Sequence, residues 1–363
     1  MNFFFGFSRW KHPLIEPFIP LERGERNIFI SSWFGKRHLR KALKKGLKSR
    51  SHIYFWGRKS FDDVEAYAKE HENVIYRVED GFIRSVGLGS DLTQPYSLVI
   101  DSRGIYFDPT CESDLEHLLQ SYDFDREPQL LSRAASVRCY LVEKKLSKYN
   151  LYAEQQLQLP KDRRIILVPG QVEDDASIRF GAPGMTNLEL LKQARNNAPD
   201  ACIVYKPHPD VLVGNRVGHV DEEIALQYCD RVVTEVSLDS VLTHTDEVHT
   251  MTSLVGFEAL MRGKKVMTYG MPFYSGWGLT TDMQRCERRT RRLTLDQLVA
   301  ATLLLYPRYI DPETKQPCEI ERVLEYLDGE RERYNASWSY RTRMQLRNWC
   351  SRKGQLLWRM VMK

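Results

Sequence analysis

Short apolar runs alternate with amphipathic stretches along most of the chain. Ile28–Ser31 and Ile53–Trp56 read as buried strands, with a basic helix over Arg37–Leu47 between them. Asp62–His71 has the spacing of a second helix and leads into the strand Val74–Val78. Strands alternating with helices of this size predict a parallel sheet with crossovers. Ser97–Asp101 and Gly104–Phe107 read as a further strand pair separated by a turn, and Asp114–Ser121 and Pro128–Leu146 as helices. A polar stretch near Asn150–Asp162 then marks a domain boundary.

The pattern restarts with the strand Ile165–Val168, the helix Asn187–Asn197 and the strand Cys202–Tyr205, which ends in Lys-Pro-His-Pro-Asp. Ile224–Tyr228, Arg231–Thr234, Ser240–Thr243 and Val248–Thr250 continue in α/β style. Thr294 followed by Gln297 fits a capping box at the start of a helix reaching Leu305. Two successive α/β halves imply two Rossmann-like domains, residues 1–155 and 156–335, with ligands beyond the carboxyl ends of their strands in an interdomain cleft. Residues 336–363 form a separate basic and aromatic helix in this reading.

At 363 residues the chain suits two domains. An apolar fraction of 42% is enough for real cores, and a net charge of +5 without a continuous basic stripe argues against nucleic acid as a partner. Seven cysteines are scattered and none has CxxC spacing, so neither a zinc site nor a disulfide scaffold is expected, and a reducing cytoplasm is the default. Cys139 and Cys202 read as small core residues. The N-terminal stretch is apolar but broken by Gly6, Arg9, Lys11 and prolines, unlike a signal peptide or a membrane span.

Candidate chemistry sits in five polar clusters. Residues 77–91, RVEDGFIRSVGLGSD, place Glu79, Asp80 and Arg84 beside glycines; Arg84 suits a carboxylate, or the acids and arginine pair with each other. Gln171–Ser177 carries three successive acids, Glu173, Asp174 and Asp175, facing water, a cation or a reacting group. Lys206 and His208, held between prolines after a strand, suit a phosphate, and His208 also proton transfer to a leaving group. In Thr252–Thr280, Ser253 caps a helix whose N–H groups and dipole suit a phosphate, Gly256 leaves room for a ligand, and Glu258 one turn on reaches sugar hydroxyls. Tyr274 and Trp277 offer faces to a sugar. Metal-ligand spacing, a Walker A motif and GxSxG are absent from the sequence.

Taken together, RVEDGFIRSVGLGSD, SLVIDSRGIYFDP, LSKYN, ILVPGQVEDDASI, VYKPHPDV, TSLVGFEAL and PFYSGWGLTTD resemble the bacterial capsule β-Kdo transferases of the KpsC family, over roughly residues 74–282. Family members carry two such modules in tandem; this chain has one, and GQVEDDASI looks more like the second. The resemblance implies a GT-B-like pair of domains and retaining transfer of Kdo from CMP-β-Kdo, the donor substrate, with no cofactor; the arrangement requires no metal, although Asp174-Asp175 also reads like a cation-bridging pair. The acceptor it implies is a Kdo-bearing lyso-phosphatidylglycerol at the inner face of the inner membrane, with capsule-assembly proteins as further partners. It places the CMP mainly in the C-terminal domain, on Lys206, His208, Thr252, Ser253, Glu258 and Gln171, with Arg84 compensating the donor's carboxylate. Asp175 best matches the family's nucleophile, with Glu173, Asp174 and Asp80 as alternatives and Glu79 beside them. The second-module wording favours a 2→7 over a 2→4 linkage.

The last segment differs in character. From Arg341 to Lys363 there are seven Lys/Arg residues and no acid, interspersed with Trp349 and Trp358. That composition suits an anionic membrane surface, or a helix packed on its own protein.

Overall fold

The computed structural model describes residues 1–21, 24–31, 37–85, 94–146, 157, 159–212, 214, 216–337, 339–340 and 342. These form two compact units. One takes Met1–Ser102 and the described residues from Thr302; the other takes the described residues of Arg103–Ser147 and Tyr152–Ala301.

The first unit begins with β1 (Asn2–Phe5), a strand in the apolar N-terminal stretch that precedes Gly6. It is parallel to β2 (Asn27–Ile30) on one side and to β3 (His52–Trp56) on the other. Such an interior strand is covered on both faces, which is why it reads as an unbroken apolar run without alternation. Phe3 and Phe5 pack with Ile53 and Phe55 against helices α1 (His38–Lys44) and α2 (Asp62–Glu70). Phe4 points to the opposite face, stacked on Tyr54 at 4.7 Å between centroids and packed with Phe18 and Val78. The strand β4 (Ile75–Asp80) continues the parallel set beside β3, and β5 (Ser97–Asp101) is antiparallel to β4.

The second unit opens with helices α3 (Asp114–Ser121) and α4 (Pro128–Glu143). Their place here contradicts a division at residue 155. Glu116 on α3, 5% exposed, accepts hydrogen bonds from Arg288 and Arg289, and Arg138 on α4 meets Asp296 at 2.9 Å. These partners lie far along the chain, so no local pattern announces them. Cys139, expected in the core, is exposed on α4, whereas Cys202 is buried as expected.

Six parallel strands form the second sheet: β6 (Ile165–Pro169), β7 (Cys202–Lys206), β8 (Arg231–Val232), β9 (Glu247–Thr250), β10 (Lys265–Thr268) and β11 (Thr281–Asp282), in the order β11-β10-β9-β6-β7-β8. Helices α5 (Ala176–Gly181), α6 (Asn187–Asn197) and α7 (Leu254–Met261) follow β6 and β9. A core of Ile166, Val168, Leu190, Leu191, Ile203 and Tyr205 lies against α6. The capping box at Thr294 is present in full and starts α8 (Leu295–Val299), which continues as a π-helical stretch over Ala300–Leu305.

After that stretch the chain supplies β12 (Pro307–Ile310) and β13 (Pro317–Cys318) to the first sheet, ordered β13-β12-β5-β4-β3-β1-β2. Strand β12 runs antiparallel to β5, pairing Val99 with Pro307. It fills the slot beside β5 that the expected partner Gly104–Phe107 would have taken; that segment is turn and loop instead. The helix α9 (Ile320–Ala336) completes this unit. The boundaries expected at 155 and 335 therefore give way to a first unit built from both ends of the chain. The expected tail helix beyond Arg341, apart from Thr342, and the glycines of GLGSD lie outside the described residues.

Candidate functional site

In the second sheet, β6 has β7 on one side and β9 on the other. The chain winds outward through β7 and β8, then returns to β9 and winds outward the other way. The crevice between the carboxyl ends of β6 and β9 is therefore a topological switch point, where α/β sheets hold ligands. Candidate residues from three separate stretches of sequence gather at this edge: Gln171 after β6, Lys206 and His208 at β7, and Thr252 and Ser253 after β9.

Gln171 ties the crevice together and is only 7% exposed. Its Nε2 donates to Thr252 Oγ1 at 3.0 Å, and its Oε1 accepts from the Thr252 N–H at 3.0 Å. Asn187, at the start of α6, receives the Gln171 N–H and donates to the carbonyls of Gln171 and Gly218. Sequence reasoning missed Asn187, since one Asn after a Thr cap carries no distinguishing signal. Gly170 is required by close approach. A Cβ there would lie 2.9 Å from the Tyr205 hydroxyl and 3.2 Å from the His208 nitrogen.

The three acids of the β6 loop have separate fates. Glu173 accepts the Asn187 N–H at 2.7 Å and so helps to hold the first turn of α6. Asp174 is exposed and pairs with Arg216 at 3.0 Å. Asp175 is the N-cap of α5, and its Oδ1 takes both the N–H and the hydroxyl of Ser177. Both bonds fall on Oδ1, so Oδ2 plays no part in the cap.

Lys206 is 8% exposed, and its Nζ donates to the Val236 carbonyl at 2.6 Å. Burial pushes its pKa down to about 8. His208 Nδ1 accepts the N–H of Asp210 at 3.1 Å, which assigns the proton of the neutral ring to Nε2 and makes that edge a donor. Ser253 caps α7 through Val255 N–H, and the Thr250 hydroxyl accepts the Ser253 N–H. Glu258 is 5% exposed, one turn into α7.

Two expectations in this stretch are corrected. Gly256 makes room for Tyr274 and not for a ligand, since a Cβ there would fall 2.2 Å from the Tyr274 hydroxyl, which donates to the Ser253 carbonyl. Tyr274 and Trp277 offer no face to a sugar, because both are fully buried, with Trp277 Nε1 donating to the Phe273 carbonyl. Apolar area of this size is worth more inside than on the surface. The loop that carries them turns at Gly276 (φ +85°) and Gly278 (φ +81°). Asp282 holds it by accepting the Gly276 N–H and the hydroxyls of Thr268 and Thr280.

In the first unit, Glu79 and Asp80 end β4. Arg84, 1% exposed, donates from Nε to Asp80 Oδ2 at 2.8 Å, so the acid–arginine pairing foreseen as one alternative is present. The Asp80 N–H donates to Glu79 Oε1. These residues belong to a different unit from the switch-point group.

Fold and site together define a doubly wound α/β protein with a polar ligand crevice at the switch point of its second sheet. The chain belongs to the capsule polysaccharide biosynthesis protein family, which matches residues 52–309. It is similar to the capsule polysaccharide modification protein LipA of Neisseria meningitidis serogroup B, 46% identical over 323 residues that make up 89% of this chain and 44% of LipA. The lipopolysaccharide-processing protein LpsZ of Rhizobium meliloti is 43% identical over 273 residues, 74% of this chain and 62% of LpsZ. The chain thus spans about half the length of the curated relatives it matches. Two solved structures of Thermosulfurimonas dismutans KpsC share its fold. The β-Kdo 2,7 transferase has a TM-score of 0.73 at 37% identity, and the β-Kdo 2,4 transferase 0.75 at 35%; each likeness covers 90% of this chain and 98% of the other.

Proposed function

We propose that this chain is a glycosyltransferase of capsule assembly that moves Kdo from CMP-β-Kdo to a β-Kdo-terminated, lipid-linked acceptor with retention of configuration. The observation that carries the reading is the convergence of Gln171, Lys206, His208, Thr252 and Ser253 at one switch point, in a fold shared with two β-Kdo transferases. Ser253 and the first turn of α7 take the CMP phosphate, Lys206 and His208 add charge and a donor, and Glu258 accepts ribose hydroxyls. The phosphate leaves as a stable anion, so holding it matters more than protonating it.

Asp175 is the nucleophile of this scheme. Its carboxylate attacks the anomeric C2, CMP departs with the bonding pair, and an acceptor hydroxyl then displaces the Asp175 carboxylate from C2 as its proton passes to the carboxylate of Glu79 or Asp80. Of the three adjacent acids, Glu173 is engaged by α6 and Asp174 by Arg216, while Asp175 caps α5 through Oδ1 and keeps Oδ2 outside the cap, which supports its choice. Glu79 and Asp80 serve the acceptor side, and Arg84 compensates the carboxylate of the donor. The second-module wording of GQVEDDASI favours a β-2,7 product, while the two KpsC structures rank oppositely by identity and by TM-score.

The lipid-linked acceptor calls for work at an anionic membrane surface, and the first unit offers a basic face suited to it. No acid occurs from Arg26 to Phe61. Within that stretch Arg37, Arg40, Lys41, Lys44, Lys45, Lys48 and Arg50 are all exposed on and around α1. Among the described residues no helix is long and apolar enough to cross a membrane. The test of the reading is incubation with CMP-β-Kdo and a β-Kdo-terminated glycoside. A product one Kdo heavier is expected, with a Kdo adduct trapped on the wild type and none on Asp175→Asn. Turnover with UDP- or GDP-sugars alone would overturn the donor assignment.

A further inference from the structure

The first unit carries a cation at the carboxyl ends of its parallel strands that no motif marks. Lys11 lies in the turn after β1, and β1 neighbours β3, whose last residue is Trp56. The Lys11 ammonium sits 3.1 Å from the centroid of the Trp56 ring and 5.4 Å from that of Trp10. A ring face attracts a cation but offers no lone pair. Among the described residues the Lys11 ammonium donates no hydrogen bond, although it carries three donors. A partly buried cation left in this state is costly unless something supplies acceptors.

The surroundings hold the lysine in place, and nearby carboxylates oppose the effect of its burial. Burial pushes its pKa down, while Asp80 first and Glu79 next act against that. The loop that presents it is pinned from the neighbouring strand end. Lys59 donates to the Gly6 carbonyl at 2.5 Å, and a Cβ on Gly6 (φ +80°) would meet Lys59 at 2.7 Å. Lys11 thus has a fixed platform, two flanking indoles and, among the described residues, no hydrogen bond from its ammonium.

We propose that Lys11 binds the carboxylate of the acceptor's terminal sugar acid, with the half-buried Trp10 lying along the sugar ring. The proposal rests on the β-Kdo transferase reading and adds to it the residue that selects an anionic acceptor. Aromatic faces beside a cation suit a saccharide that carries both C–H faces and a carboxylate. The lipid-linked acceptor also contains a phosphate, so the shared chemistry is an oxyanion, and the test must separate the two sources.

The probe is a synthetic β-Kdo glycoside without phosphate, paired with its analogue in which the carboxylate is reduced to hydroxymethyl. With the wild type, the reduced analogue should raise the acceptor KM by about tenfold or more. Lys11→Gln should raise the KM for the intact glycoside by a similar factor and show no further loss with the reduced one. The CMP-Kdo KM should stay unchanged in that variant, and Lys11→Arg should restore most of the acceptor affinity. Equal KM values for the two glycosides on the wild type would overturn the proposal, and that arm needs no variant to fold. An additional carboxyl-reduction penalty in Lys11→Gln, equal to that of the wild type, would also overturn it. A wild type that turns over neither glycoside with CMP-Kdo would instead defeat the transferase reading itself.

Discussion

Lys206 supplies the sharpest test of whether the switch-point crevice is built for an anion. Its pKa is pushed down from 10.5 to about 8 by burial. At roughly 1.4 kcal/mol per pH unit, the fold holds this ammonium at neutral pH at a cost of about 3 kcal/mol. Replacing it in Lys206→Met removes that cost and forfeits hydrogen bonding that includes the bond to the Val236 carbonyl, worth about 1–2 kcal/mol. The apoprotein should therefore become more stable by about 1–2 kcal/mol in urea titration at pH 7, while its affinity for CMP drops by tenfold or more in calorimetry. The pH dependence follows from the same shift. Between about 8 and 10.5 the unfolded chain binds a proton at this lysine that the folded chain does not. This residue's contribution to stability therefore rises with pH across that window in the wild type, and the variant lacks the rise. CMP affinity of the wild type should fall as pH passes 8. A variant destabilised by 2 kcal/mol or more with unchanged CMP affinity would show Lys206 to be a structural donor to Val236, and the argument would fail.

Glu258→Ala should weaken CMP by about 1–3 kcal/mol in calorimetry, as expected for a buried carboxylate that accepts ribose hydroxyls; unchanged affinity in a folded variant would make it structural. Gly256→Ala should destabilise the protein by about 1–3 kcal/mol in thermal melts, since the new methyl overlaps the buried Tyr274 hydroxyl, whereas a neutral effect would mean that Tyr274 can shift. Neutralising Lys44, Lys45 and Lys48 to Gln should weaken sedimentation with phosphatidylglycerol vesicles by roughly a hundredfold, at about 1 kcal/mol per lysine, and leave phosphatidylcholine unaffected. Equal binding to both lipids by the intact chain would remove the basic helix as a membrane contact.

Local pattern carried much of this protein. Two strands that end in candidate residues, β6 and β7, are apolar runs closed by Pro or Gly. The capping box of α8 was legible to the atom. What local pattern could not carry was pairing at a distance. Strand β12 reaches β5 across some two hundred residues, and Arg288 and Arg289 reach Glu116 across about as many, so the linear domain boundaries were misplaced. Tyr274, Trp277 and Gly256 were misread for a related reason. Glycine beside aromatics looks the same in a sequence whether the space it leaves is filled by a ligand or by Tyr274. Lys11 was passed over as one charge interrupting an apolar terminus, because its meaning depends on Trp56, a neighbour only once β1 and β3 pair.

The measurement that bears most directly on the central claim is NMR of the product formed from CMP-β-Kdo and a β-Kdo-terminated acceptor. It reads donor, anomeric configuration and linkage in one sample. A single added Kdo in β-configuration, joined through O7, is the predicted result. An α-linked residue would contradict the double displacement through Asp175, and no transfer of Kdo from CMP-Kdo to any acceptor of this class would contradict the function itself.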